Sequence, residues 1–293
     1  MFSLIITSYN EIENTKKLIQ NILSSFNKND ELILVSPNLE LKEFLEKQRK
    51  EFNKVFIKDS KKGKPAALNL ALEKAQGKFI ICTDGDVILR ENAISEILKP
   101  FQEREVGLAS GQPISKDDRN SLFGYWSHFL VNAAHVTRQK REDKNQFFVA
   151  SGYLLAFRNS LIDLIPENTL VDDAWISHNI SNQGYKIAYT PLARVEVHFP
   201  KNFKDWITQK LRSVGGYQEK YIKQSQQNMR SFKNESFLGI KLIIAFPKSF
   251  KEYFYTFLLI VARIYLWLKI IWVFKIKKNK TQKLWKRIDS SKY

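Results

Sequence analysis

The chain has 293 residues, 44% hydrophobic and 26% charged, with a single cysteine, Cys82. That composition excludes a disordered chain, a disulfide scaffold and a cysteine-built zinc site. The net charge of +17 is carried by one end, since residues 1–200 hold 26 Lys and Arg against 25 Asp and Glu, and residues 201–293 hold 21 against 5. An anionic partner is therefore expected for the last third alone, either a membrane surface or a nucleic acid.

Taken in order, the first segment is an apolar run from Phe2 that ends in Ser8-Tyr-Asn-Glu11, a buried strand feeding a loop. No basic leader precedes it, so the expected compartment is the cytosol or the cytosolic face of a membrane. Glu13–Phe26 carries its apolar residues on one helical face. Leu32–Val35 reads as a second strand closed by Ser36-Pro-Asn38, 39–52 as a charged helix and Val55–Ile57 as a third strand. Lys61-Lys-Gly-Lys-Pro65 is a loop, 66–75 a helix and Phe79–Cys82 a fourth strand. This alternation predicts a mostly parallel α/β sheet flanked by helices, with ligands at the strand ends. Further on, 121–138 reads as a helix, Phe147–Phe157 as a strand, Asp173–Gln183 as a helix and Tyr185–Tyr189 as a strand stopped by Pro191.

Asp84-Gly-Asp86 directly follows an apolar strand. Two carboxylates so spaced suit one divalent ion, whose shell water and phosphate oxygens complete; an ordinary polar turn is the competing reading. Lys64-Pro-Ala-Ala-Leu-Asn69 opens a helix behind Lys61 and Lys62, either an anion site or a solvated basic loop. Asp172-Asp173 precedes an apolar helical stretch, either as helix-capping chemistry or with Asp173 as a general base. Gln209 and Arg212 share a helical face, and His198 is either a packed histidine or a metal ligand.

In this order, Ser-Tyr-Asn-Glu11, Gly63-Lys-x-x-Ala-Leu-Asn69, Asp84-x-Asp86, Ser151-Gly152, Asp172-Asp173 and Gln209-x-x-Arg212 resemble the family 2 glycosyltransferases of GT-A fold. The resemblance covers about residues 1–217 and implies inverting transfer from a nucleotide sugar, with a uridine carrier as the family expectation. It implies that Tyr9, Glu11 and Asp59 contact the nucleotide and that Lys64, Gln209 and Arg212 face its diphosphate. Asp84 and Asp86 would hold the metal, Mn²⁺ or Mg²⁺, and His198, apart from the resemblance, is taken as a further ligand. Ser151, Gly152, Asp172 and Trp175 would border the acceptor, and Asp173 would be the base. The chain is similar to the cellulose and hyaluronan synthase-like branch, with three departures. Its second strand ends Val35-Ser-Pro-Asn38 without acids, Ser213 stands where polymerising members carry Trp, and no long multi-span channel follows. Addition of a single sugar is therefore expected.

Residues 218–293 are expected to form a basic, apolar helical region of membrane association. Phe237–Phe246 is apolar, and Phe254–Phe274 is broken only by Arg263 and Lys269, before a polybasic tail. The run is long enough to cross a bilayer of about 30 Å. Arg263 at its middle, and a basic tail opposite a cytosolic catalytic domain, favour an interfacial or re-entrant arrangement. A spanning helix and a helix packed on the core remain open. The expectation is an enzyme at the cytoplasmic face of an anionic membrane, acting on a glycan or lipid-linked acceptor in envelope glycan or glycolipid synthesis. The alternatives are an inactive GT-A membrane scaffold and a nucleic-acid-binding protein.

Overall fold

The computed structural model describes residues 1–48, 51–216, 219, 221 and 241–273. They fall into two compact units: Met1–Pro113 with Arg141–Val197, and Ile114–Lys140 with the described residues from His198 onward. The expected domain boundary at 217/218 lies outside the described residues, as does the polybasic tail from Lys275.

The first unit is built on an eight-stranded sheet. Its strands are β1 (Phe2–Thr7), β2 (Glu31–Ser36), β3 (Asn53–Lys58), β4 (Phe79–Asp84), β5 (Ile88–Leu89), β6 (Val106–Ser115), β7 (Leu154–Arg158) and β8 (Lys186–Val197), in the order β3-β2-β1-β4-β7-β6-β8-β5. The first four strands in that order are parallel, with Ile5 opposite both Ile33 and Cys82. β7 then runs antiparallel to β4 and to β6, and β5 antiparallel to β8. The helices of this unit are α1 (Ile12–Ile22), α2 (Leu39–Glu46), α3 (Lys64–Leu72) and α4 (Ala93–Leu98), the C-terminal end of α5 (Leu122–Glu142), and α6 (Asp172–Asn182).

β1, β2 and β4 are buried nearly throughout, which is why they read as unbroken apolar runs. Ile5, Ile33, Ile80 and Cys82 meet Leu68 and Ala71 of α3 and Ile176 and Ile180 of α6 in one core. Burial pushes the Cys82 thiol up to about 12, so it is an apolar filler. The N-terminal edge of the sheet is closed by buried acids. Glu31 accepts from Ser3 Oγ at 2.6 Å, Asn53 Nδ2 at 2.8 Å and the Gln76 amide at 3.1 Å. The opposite edge is left for ligands, and the strand order reverses between β1 and β4, where open α/β sheets form their crevice.

Several elements differ from the expectation. β8 continues through Pro191 to Val197, because the two-residue β5 pairs only with Val195 and Glu196 and makes no ladder bond at Pro191. The expected strand Phe147–Phe157 is reduced to β7, and residues 147–153 form a loop. The second helix is α2, eight residues instead of 39–52. β5, β6 and α4 are additional.

The second unit packs the N-terminal part of α5 with α7 (Phe203–Gly216) and α8 (Phe250–Ile271). Tyr125, Trp126, Trp206, Leu211, Leu259 and Leu266 belong to its core. Ser249 caps α8 by accepting from the Glu252 amide at 3.3 Å, and Glu252 is held by Arg119 through bonds of 2.7 and 3.0 Å. The Trp126 indole donates to the Tyr255 carbonyl at 2.9 Å, and the Tyr125 and Thr256 hydroxyls lie 2.6 Å apart. The apolar run expected to start at Phe254 thus begins a full turn earlier.

Candidate active site

Four loops meet the C-terminal edge of the parallel strands. After β1, Tyr9 is exposed and Glu11 is buried, its Oε2 accepting from the Tyr9 and Asn10 amides, each at 2.9 Å. Asn38, after β2, donates to the Tyr9 carbonyl at 2.6 Å. After β3, Asp59 accepts from the Lys61 amide at 3.0 Å, and the Lys61 ammonium lies 6.0 Å from the Tyr9 ring. The nucleotide-side residues named from the sequence, Tyr9, Glu11 and Asp59, thus belong to neighbouring loops.

After β4 comes Asp84-Gly85-Asp86. Asp84 is the last residue of the strand, opposite Thr7, and the Gly85 amide donates to the Thr7 carbonyl at 2.9 Å. A Cβ on Gly85 would lie 2.5 Å from Thr15 Oγ1 and 2.7 Å from Ser8 Cβ, so the residue between the two acids must be glycine. Gly85→Ala is expected to destabilise the fold by about 1–3 kcal/mol, read as a lowered melting temperature. An unchanged melting temperature would mean that the α1 contact yields freely.

Lys64, the first residue of α3, reaches across this edge. Its Nζ lies 2.7 Å from Asp84 Oδ1 and 3.4 Å from Asp172 Oδ2. Burial pulls the ammonium down, but the charges of Asp172 and Asp84 outweigh it and hold the pKa above the ordinary range. Asn69, of the same motif, takes no part in the cluster. It bonds both the amide and the carbonyl of Ile165 at 2.8 Å and fixes α3 in place.

Asp172 and Asp173 open α6, yet Val171 holds the N-cap position and makes no side-chain cap. Neither acid is thus the N-cap, though both stand in the first turn of the helix. Asp173 Oδ2 accepts from the Gly152 amide at 2.9 Å and Oδ1 from its neighbour Ala174 at 2.7 Å. Burial, then the charge of Asp172, raises its pKa from 3.8 to about 6, against the opposing pull of Lys64 and the two amides. The loop holding Gly152 is pinned by the Ala150 amide to Ser177 Oγ at 3.0 Å, and by the Ser151 amide to Ser110 Oγ at 2.9 Å. Ser151 is buried, and Trp175 is half-buried against the core.

The structure thus brings Lys64, Asp84, Asp172, Asp173 and Gly152 together, and sets Asp86 two residues beyond Asp84. Sequence reasoning missed the supports: Thr15, Asn38, Ser110 and Ser177 carry no motif of their own. Their signal is only the small hydroxyl or amide residue beside a site loop.

His198, Gln209 and Arg212 belong to the second unit. His198 Nδ1 lies 2.7 Å from Asp117 Oδ1, a carboxylate–imidazole pair that fixes the ring's orientation. Gln209 and Arg212 are half-buried on α7.

Among the described residues no three His, Cys, Asp or Glu side chains form a metal cage. The Asp84 and Asp86 oxygens nonetheless fit a hard cation of the kind that protein binds through one or two carboxylates, with substrate phosphates in its remaining positions.

The model of the family described as glycosyl transferase family 2 matches residues 3–165, which span β1 through β7 and the acids at their ends. The chain is a family 2 glycosyltransferase. Among curated relatives of this glycosyltransferase is the poly-β-1,6-N-acetyl-D-glucosamine synthase of Staphylococcus aureus strain COL. It is 21% identical over 235 residues, which cover 78% of the chain and 57% of the relative. The chain spans little more than half the length of such relatives. Among solved structures, the mannosyltransferase PcManGT of Pyrobaculum calidifontis, in complex with GDP-Man and Mn²⁺, superposes with a TM-score of 0.64 at 18% identity. That match covers 97% of this chain and 82% of the other. S. aureus TarS 1-349 in complex with UDP-GlcNAc gives 0.51 at 14% identity, covering 83% and 79%. These likenesses establish the GT-A fold for the glycosyltransferase.

Proposed function

We propose that the glycosyltransferase is metal-dependent and inverting, and moves one sugar from a uridine-diphosphate carrier to a membrane-proximal or lipid-linked hydroxyl in envelope glycan or glycolipid synthesis. The observation that carries this reading is the cluster in which Lys64 bridges Asp84 and Asp172 beside the half-buried Asp173. The polysaccharide synthase relative and the nucleotide-sugar complexes of the fold's neighbours support it. Residues 1–217 are read as the catalytic domain on the cytoplasmic side, and 218–293 as the region of membrane association.

In this reading Asp84 and Asp86 hold Mn²⁺ or Mg²⁺. The ion's contribution when bound is to offset charge on the leaving diphosphate. Asp173 takes the proton of the acceptor hydroxyl as that oxygen bonds to the anomeric carbon. The bond from the same carbon to the diphosphate breaks, and its electron pair leaves with the diphosphate. Lys64 faces the phosphates. Tyr9, Glu11 and Asp59 line the nucleotide side, and Ser151, Gly152, Asp172 and Trp175 the acceptor side.

The test is a thermal-shift panel of nucleotide sugars on the detergent-solubilised full chain, with and without Mn²⁺. Ligand binding the folded state alone stabilises by about 2.7 kcal/mol at a hundred times its Kd. The expected result is a rise that needs both metal and one uridine-linked sugar. No rise with any pair, on protein that melts cooperatively, would overturn the reading in favour of an inactive scaffold.

A further inference from the structure

α8 is apolar on two opposite sides. At about 100° per residue, Thr256, Leu259, Ala262, Leu266 and Ile270 fall on one side. All are buried, on a core shared with Tyr125, Trp126 and Trp206. Phe254, Phe257, Val261, Ile264, Leu268 and Trp272 fall on the other side, and each is 45–62% exposed. None of the helix's charged residues lies on this outer stripe. Lys251 and Lys269 sit at its flank, Arg263 lies toward the packed side, and Glu252 is engaged by Arg119. From Phe254 to Trp272 the stripe runs about 27 Å, far beyond a scattering of single surface side chains.

A solvated helix would turn polar residues outward, and this one does not. A helix crossing a bilayer alone would meet lipid all round, yet four turns of α8 are committed to α5 and α7. What fits is a surface apolar beneath and anionic at the rim. Lys248, Lys251 and Lys269 lie at or beside the helix, and residues 274–293, which follow directly in the sequence, carry eight Lys or Arg and one Asp. Anionic headgroups attract such residues by about 1 kcal/mol each. An amphipathic helix of this pattern lies in the interface plane with its apolar side in the acyl boundary.

We infer that the outer stripe of α8 seats the chain flat on an anionic bilayer surface, in the plane of the membrane and without crossing it. The inference rests on the reading of 218–293 as the region of membrane association and fixes its mode; it uses neither the donor nor the metal of the proposed reaction, so the vesicle test and the nucleotide-sugar test fail separately.

The experiment is flotation of the full-length protein with phosphatidylcholine vesicles, with and without phosphatidylglycerol. Wild type is expected to float with the mixed vesicles and much less with phosphatidylcholine alone. Phe257→Ser/Leu268→Ser is expected to weaken binding roughly tenfold or more, while Leu192→Ser, an exposed apolar residue of the first unit, leaves it unchanged. A folded double variant that floats like wild type would overturn the inference. So would a wild-type protein that ignores vesicles but forms a dimer, or binds nucleic acid, through the same two side chains. Should the double variant not fold, Val261→Trp gives a second readout. Quenching chiefly by lipids brominated near the headgroups supports an in-plane helix, whereas quenching chiefly by bromines at the bilayer centre reports a crossing helix and overturns it.

Discussion

Asp173→Asn is expected to lower turnover by about 10²–10⁴-fold while donor affinity stays within about twofold of wild type, as for loss of a general base. In the proposed reaction the side chain is held for that task. Gly152 and Ala174 amides fix its two oxygens, and burial beside Asp172 raises its pKa to about 6. The base acts when deprotonated, so turnover should be flat above about pH 7 and fall about tenfold per unit below pH 6. Stability moves in the opposite sense. An acid whose pKa is raised on folding binds its proton more tightly in the folded state, so the wild type loses stability as pH rises from about 4 to about 6. Asp173→Asn should remove that decline. Donor binding and transfer are measured with the same nucleotide sugar, so loss of binding would mark Asp173 as part of the donor pocket. A variant with wild-type turnover would exclude it as the base.

The second large effect is expected at the paired acids. Asp84→Ala and Asp86→Ala should each abolish the Mn²⁺-dependent part of donor binding, a loss of about a hundredfold or more, given that a bound cation contributes several kcal/mol of charge stabilisation. Calorimetry with and without Mn²⁺ separates this from general damage. The metal-independent remainder should persist, because Lys64 keeps Asp172 at 3.4 Å when Asp84 is gone. Asp84→Ala removes the closest partner of the Lys64 ammonium and should lower the melting temperature as well. Equal Mn²⁺ dependence in wild type and both variants would rule out the paired acids as the metal's ligands.

The parallel half of the sheet was legible because β1, β2 and β4 are buried on both sides and their ends carry turn-forming residues, as at Ser8-Tyr-Asn10 and Ser36-Pro-Asn38. The antiparallel half gave no such pattern. β6 reads Val-Gly-Leu-Ala-Ser-Gly-Gln-Pro-Ile-Ser, small and polar, because it lies between β7 and β8 where space is short. A Cβ on Gly111 would come within 2.7 Å of the Ala193 carbonyl. Phe147 to Tyr153 misled in the other direction. The run is apolar like a strand, yet its amides serve Ser110, Ser177 and Asp173, so it folds as the loop that presents Gly152. The order of the acids and Lys64 along the chain was readable, but the direct Lys64–Asp84 and Lys64–Asp172 contacts were not. They join residues far apart in sequence, and only the strand order brings them to one edge.

The Glu11 carboxylate has a consequence for how the loop after β1 meets a ligand. Two adjacent backbone amides, Tyr9 and Asn10, are the kind of donors that elsewhere wrap a phosphate, and here the chain's own side chain already fills that role. The loop is thus ordered before any ligand arrives, and what it turns outward is the Tyr9 ring, 42% exposed. In the proposed reaction that ring is a flat surface for a planar group, on a loop whose two amides are already engaged, so that ordering them costs little entropy on binding.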